Sequence, residues 1–351
     1  MRRYYYELAK AANTLVTNMF ALKPGENFVI TADTESDMAV VEAACSAAFA
    51  AGAKPMVVTF PSPLGVGKAA DSLLPVAALT GALQCADAWV EFNNQWLLYS
   101  TPFETAMKEN PKLRYMCLVG MDADMMVRLI GRIDQKALSA FLHEVANQTI
   151  AAKTMRITTP AGCDLECELN PENKLSCDDG DAHQPGMHML GGQICFVPKL
   201  ASISGTLVFD GTLCPYPGFL KEPVTMTVIS GVVSDIRGGA QARQFAAWLD
   251  GFKNANMLRL AHGCYGLNPG AKLTGRVIED ERVWGATEWG LGYLSSVDAP
   301  KEFIDAPSHC DGVCLDSSVW LDGRQIMQAG RFVDRTLQKM AEELGMSECV
   351  S

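Results

Sequence analysis

The sequence predicts an α/β protein in two parts: an N-terminal Rossmann-like α/β domain on a parallel sheet over residues 1–153, and a β-rich α+β domain over residues 154–351. Three observations carry this. The first half alternates short apolar runs with helical periodicity. The texture changes after Lys153 into short β-like runs separated by Gly, Pro and Asp turns. The length of 351 residues suits about two domains.

In the first half, Phe28–Ile30 reads as a strand, Asp33 and Thr34 as caps of a helix from Glu35 to Ala51, and Gly52 as its stop. Pro55–Phe60 is the next strand, completing a βαβ unit and requiring a parallel pair. Ala88–Phe92 and Tyr115–Val119 are further strands; Phe103–Lys108, Met121–Ile130 and Gln135–Ala152 are helical by periodicity. Beyond Lys153 the strand candidates are Met155–Thr159, Asp164–Glu168, Gln193–Val197, Ser204–Asp210, Val224–Ile229, Val232–Ile236, Leu258–Ala261, Gly312–Leu315 and Val319–Leu321. Gln241–Phe252 is an amphipathic helix, and the polar Asn170–Met187 segment reads as a long loop.

Composition excludes some functions. A formal net charge of −11 argues against nucleic acid as the main partner, because that binding relies on Lys and Arg neutralising phosphates. No apolar run is long enough to span a membrane. Residues 1–23 carry Arg2 and Arg3, but Glu7, Lys10 and Asn13 interrupt the apolar positions, the pattern of an amphipathic helix rather than a secretory signal. The twelve cysteines include no Cys-x-x-Cys pair, so reduced thiols in a cytoplasmic protein are expected. Gly65-x-Gly67, in Leu64–Lys68, lacks the remaining glycine of a dinucleotide fingerprint and reads as a plain loop.

The chain has five histidines: His143, His183, His188, His262 and His309. His309-Cys310-Asp311 places a histidine and a carboxylate two apart, on one face if the segment is extended. His262, at a strand end running into a glycine-rich turn, can complete a three-donor face. Two imidazoles and a carboxylate with open positions suit mononuclear non-haem Fe(II), and also a catalytic zinc that keeps a water. Each element has a plainer reading: His262 as a core histidine, Asp311 as a turn residue before Gly312, and Trp284 and Trp289 around Glu288 as core aromatics rather than walls for a flat ring.

The order of these segments resembles the aminopeptidase T/S-like superfamily, and within it the 2,5-dihydroxypyridine 5,6-dioxygenase branch. The resemblance runs through Ala50-Ala-Gly-Ala-Lys54, Ser204-Gly-Thr-Leu-Val-Phe-Asp210, His262-Gly-Cys-Tyr-Gly-Leu-Asn-Pro269, and Ser308-His-Cys-Asp311 with Leu321-Asp-Gly323. Where the peptidases carry further metal ligands this chain has His262, Gln193 and Glu288, departing from a two-metal set. The resemblance implies one Fe(II) held by His262, His309 and Asp311. It also implies that His188 contacts substrate, and that Tyr99 stands where the dioxygenase has a second active-site histidine. Glu288 becomes a second-shell base or an added ligand.

The expected function is therefore ring-opening of a small hydroxylated aromatic or N-heteroaromatic by O2, in a homo-oligomer. The rival with the same fold is a one-metal hydrolase of an amide or C–N bond, using zinc or another divalent ion with Glu288 as base. A closed, structural metal site is the non-catalytic alternative.

Overall fold

The computed structural model describes residues 4–346; Arg2, Arg3 and Cys349 lie outside them. It divides into two compact units. One takes the chain up to Ser139 together with Asp178–Gly191; the other takes Ala140–Cys177 and the chain from Gly192 onward. The sequence reading drew a single boundary after Lys153. Compactness draws three, because a strand at Gly186–Met189 returns to the sheet of the first unit.

The first unit holds a five-stranded sheet in the order Lys54–Phe60, Asn27–Asp33, Ala88–Glu91, Arg114–Cys117, Gly186–Met189. Every pairing is parallel. The expected βαβ unit is present, with the helix Met38–Ala50 between the first two strands of the chain. Its cap is Asp37, whose carboxylate accepts the Ala39 N–H, rather than Asp33 or Thr34. Asp33 ends its strand instead and accepts the N–H groups of Glu35, Asn94 and Gln95, tying two loops together at the carboxyl ends of neighbouring strands. The N-terminal helix is Tyr5–Thr14, followed by a wider turn of helix at Leu15–Met19.

Asp33 and Glu91 are the buried carboxylates on the described strands of this sheet. Glu91 is fully buried at the end of Ala88–Glu91 and accepts hydrogen bonds from the Leu97 N–H and, at 2.6 Å, the Tyr115 hydroxyl. Burial pushes its pKa up to about 7, while these two donors pull the other way.

The second unit holds two sheets. The larger runs Val232–Arg237, Val224–Ile229, Ser204–Phe209, Asp164–Glu168, Thr154–Thr158, Ser318–Leu321, Arg324–Gln328, Arg331–Phe332, antiparallel throughout. The other, of seven strands, runs Gly218–Phe219, Thr212–Cys214, Ile304–Cys314, Ala286–Leu294, Leu260–Gly266, Gln193–Phe196, Leu175–Asp178.

Two sequence readings change here. The segment Asn170–Met187 is not one loop, since it contains the strand Leu175–Asp178 and the start of Gly186–Met189. The nine-residue strand Ala286–Leu294, the centre of the seven-stranded sheet, was not read from the sequence at all. Its two glycines and its glutamate depress β-propensity, and only its place between two partner strands makes it extended.

Candidate metal centre

Three successive strands of the seven-stranded sheet build the centre: Leu260–Gly266, Ala286–Leu294 and Ile304–Cys314. Side chains alternate between the faces of a strand. His262 and Cys264 therefore share a face, as do His309 and Asp311 two strands away. The register aligns the faces: His262 lies opposite Gly290 and Gly290 opposite Asp311, while Cys264 lies opposite Glu288. The strand continues through Asp311 and Gly312, so Asp311 is not a turn residue.

Gly290 stands between the His262 and Asp311 strands. A Cβ there would lie 2.5 Å from the His262 ring, so the bare glycine leaves the room in which the imidazole sits. The rings of His262 and His309 stack at 5.0 Å between centroids, 21° from parallel. One nitrogen from each ring and one oxygen of Asp311 lie within 4.8 Å of one another. The structure thus brings together His262, His309 and Asp311, all partly buried.

The hydrogen bonds at His309 are informative. Its Nδ1 lies 2.7 Å from the Tyr293 carbonyl oxygen, which can only accept, so Nδ1 carries the proton. In the neutral ring Nε2 then presents a lone pair, 2.8 Å from Asp311 Oδ1. Two lone pairs at that distance repel unless a cation joins them, either a proton or a metal ion. An outer carbonyl that fixes the ring's tautomer is the usual support of a metal-binding histidine. His262 Nε2 also lies 3.4 Å from Asp311 Oδ1. By donor chemistry and by convergence the residues fit a divalent ion.

Glu288 approaches the same nitrogen, with Oε1 3.4 Å from His262 Nε2. It is 1% exposed, and neither carboxylate oxygen has a hydrogen-bond partner. Burial pushes its pKa up to about 8, against the pull of His262. Burial alone would lower the pKa of His262, but Glu288 and Asp311 outweigh it and hold the imidazolium well above the ordinary histidine value. Asp311 goes the opposite way: its burial is outweighed by the two histidines, which hold it well below the usual carboxylate range.

One carboxylate and one thiol near this face were not recognised as site groups from the sequence. Glu281 is raised to about 8, by burial and then by Asp311, and its Oε2 accepts from Gln193 Nε2 at 3.2 Å. Cys214 lies opposite Asp311 in the neighbouring strand, and burial pushes its thiol up to about 12. The acidic run Glu279-Asp280-Glu281, between two site strands, was the available signal for the first.

The cysteines depart from the expectation of reduced thiols at one place. Cys195 and Cys264, opposite one another on adjacent strands with Cα atoms 4.1 Å apart, are joined as a disulfide. The aromatics flanking Glu288 take their plainer reading. Trp289 points to the other face of the sheet, where it is fully buried against Phe196, and Trp284 stacks on Phe141.

His188 and Tyr99 belong to the first unit. His188, on the strand Gly186–Met189, has Nε2 2.8 Å from the Gln184 carbonyl, to which it donates. Tyr99 is more than half exposed, in a left-handed backbone conformation (φ 66°) that is strained for a tyrosine.

Fold and donor face together define a two-unit α/β protein with a histidine–carboxylate centre on an antiparallel sheet. The chain belongs to the 2,5-dihydroxypyridine 5,6-dioxygenase (NicX) family, whose model matches residues 10–334. It is 24% identical over 320 residues to the 2,5-dihydroxypyridine 5,6-dioxygenase of Pseudomonas putida KT2440, covering 85% of this chain and 88% of the relative. The solved structure of 2,5-dihydroxypyridine dioxygenase from that organism superposes with a TM-score of 0.78 at 20% identity, over 94% of this chain and 98% of that one. Wild-type AmpT from Thermus thermophilus superposes with a TM-score of 0.68 at 14% identity, over 94% and 100%. The chain therefore shares its fold with both of these structures. No helix of the described residues is long and apolar enough to cross a membrane.

Proposed function

We propose that this chain is a mononuclear non-haem Fe(II) dioxygenase that opens the ring of a small hydroxylated N-heteroaromatic such as a dihydroxypyridine, with His262, His309 and Asp311 as ligands. The observation that carries the reading is the His309–Asp311 contact: a ring nitrogen turned by the Tyr293 carbonyl on its far side toward a carboxylate oxygen 2.8 Å away, and converging with His262. Family membership supplies the reaction class.

A bound Fe(II) ion would supply the redox chemistry that lets O2 react with an electron-rich ring. The protein's own part is to bring two imidazoles and one carboxylate together on a single face. Glu288 Oε1, beside His262 and without a hydrogen bond of its own, is placed to take a proton from a group arriving at that face. The resemblance implies for His188 and Tyr99 the roles of orienting substrate or moving its protons.

The test is metal analysis after anaerobic purification and iron reconstitution, followed by O2 uptake with 2,5-dihydroxypyridine. About one iron per chain is expected, with substrate-dependent O2 consumption. Both fall to background in His309→Ala and Asp311→Ala. Activity that persists in iron-free, zinc-loaded protein without O2 uptake would transfer the assignment to a hydrolase with Glu288 as base.

A further inference from the structure

A second set of donors shares His262. Beside the triplet His262–His309–Asp311, the residues His262, Cys264 and Glu288 each present one donor atom within 4.8 Å of the others. Their placement follows from the register, since Cys264 is two residues from His262 on one strand and directly opposite Glu288 on the next. Two observations mark this triplet as more than a coincidence of packing. Glu288 is almost completely buried with both oxygens lacking hydrogen-bond partners, the condition of a carboxylate built to meet something else. The sulfur that would complete the set is held by Cys195 in a disulfide across the neighbouring strand.

We propose that reduction of the Cys195–Cys264 disulfide opens a second metal site, His262–Cys264–Glu288, selective for zinc-like ions and competing with the first triplet for His262. One imidazole, one thiolate and one carboxylate form a borderline-soft donor set, whereas the first triplet has no sulfur. Accessibility gives the reduction a direction. Cys195 is partly exposed and Cys264 fully buried, so a thiolate reaches the Cys195 sulfur first. With a small dithiol, a sulfur–sulfur bond forms between the reagent and Cys195 while the Cys195–Cys264 bond breaks. The electron pair leaves on Cys264 Sγ, inside the triplet. The reagent's second thiol then displaces Cys195, which takes up a proton, and the dithiol departs as its cyclic disulfide, having given two electrons. Cys264 remains as the thiolate that binds the ion. The device gives one histidine two loyalties chosen by thiol state, and zinc on the second triplet withdraws His262 from the first.

Cobalt(II) is the probe, because a thiolate ligand gives it a near-ultraviolet charge-transfer band that nitrogen and oxygen ligands do not. The oxidised protein binds cobalt without this band. After treatment with a dithiol and its removal under argon, the band appears. Cys195→Ser shows it without any reductant, and Cys264→Ser never shows it. Competition of zinc against the bound cobalt reports affinity: reduction tightens zinc by about tenfold or more, a change of about 1.4 kcal/mol, and in Glu288→Gln the reduced and oxidised proteins bind zinc alike. The proposal is overturned if neither the reduced wild type nor Cys195→Ser shows the band, or if the band persists in Cys264→Ser, which would assign it to another cysteine such as Cys214. None of these readouts requires that His309 and Asp311 hold iron or that O2 is consumed. The proposed dioxygenase activity can therefore fail while this site stands, and the reverse.

Discussion

Two buried glutamates, one in each unit, show what burial alone does and does not decide. Glu91 and Glu288 are both inaccessible, and both have raised pKa values, about 7 and about 8. Glu91 has its partners: an N–H from the loop that follows its strand and a tyrosine hydroxyl from the next strand. Glu288 has an imidazole at 3.4 Å and no hydrogen bond. The first is a structural clamp that fixes the loop leading to Tyr99. The second is a buried carboxylate whose lone pairs meet no hydrogen-bond donor. A raised pKa therefore does not distinguish a structural carboxylate from a functional one, whereas the state of its lone pairs does.

The largest effect that would break this contrast is on Glu91. Glu91→Ala strands the Leu97 N–H and the Tyr115 hydroxyl in the core, each at about 1–3 kcal/mol, and the expected loss is about 4 kcal/mol in urea unfolding with metal content per folded chain unchanged. Loss of metal instead would show that Glu91 is not merely a clamp.

Next is the pH dependence of the same group. The folded pKa of Glu91, about 7, lies above the 4.5 of an unperturbed glutamate, so the native state keeps its proton longer than the unfolded chain does. Its contribution is most favourable below about pH 4.5 and is lost as pH rises through about 7, by roughly 3 kcal/mol for the fully buried group. Urea midpoints from pH 5 to 8 should carry this decline in the wild type and lose it in Glu91→Gln. Identical slopes in both proteins would assign the decline elsewhere.

Glu288→Gln tests the other half. The amide keeps the shape and removes a buried carboxylate that no hydrogen bond compensates, so thermal stability is expected to hold or rise. Turnover of the iron-loaded protein should fall by about 10- to 100-fold, the size typical of groups that support a metal's ligands. A fall in stability matching the fall in activity would make Glu288 structural after all.

The smallest effect belongs to Trp289→Phe, one residue along the same strand. Its ring faces the opposite side of the sheet, so the change should cost about 1 kcal/mol or less and leave substrate KM untouched. A raised KM for a ring substrate would put an aromatic wall where the structure has core.

How far the sequence could be read follows the same division between local and cross-strand information. The parallel α/β half was legible because its strands are continuous apolar runs set between periodic helices. His262, His309 and Asp311 were legible because a two-residue spacing and a strand end are local signals. Ala286–Leu294 was not, because its glycines and glutamate argue against a strand until both neighbours are in place. Nor could the sequence pair Cys195 with Cys264 or Gln193 with Glu281, since each pair depends on how distant segments meet. The side to which Trp289 turns depended on knowing that its segment is extended.

Gly290 has a further consequence. The donors His262, Glu288, His309 and Asp311 lie on three strands that follow one another in the chain and neighbour one another in the sheet. A bare position on the middle strand lets a ring from one outer strand lean across toward an acid on the other. The centre is thus strung along a single meander, where the entropy of closing the intervening loops is small. An ion bound there would rivet one hairpin to the next without cinching remote parts of the chain. The amides of that meander would be the first to gain protection from hydrogen exchange when it arrives, and the first to lose it when it leaves.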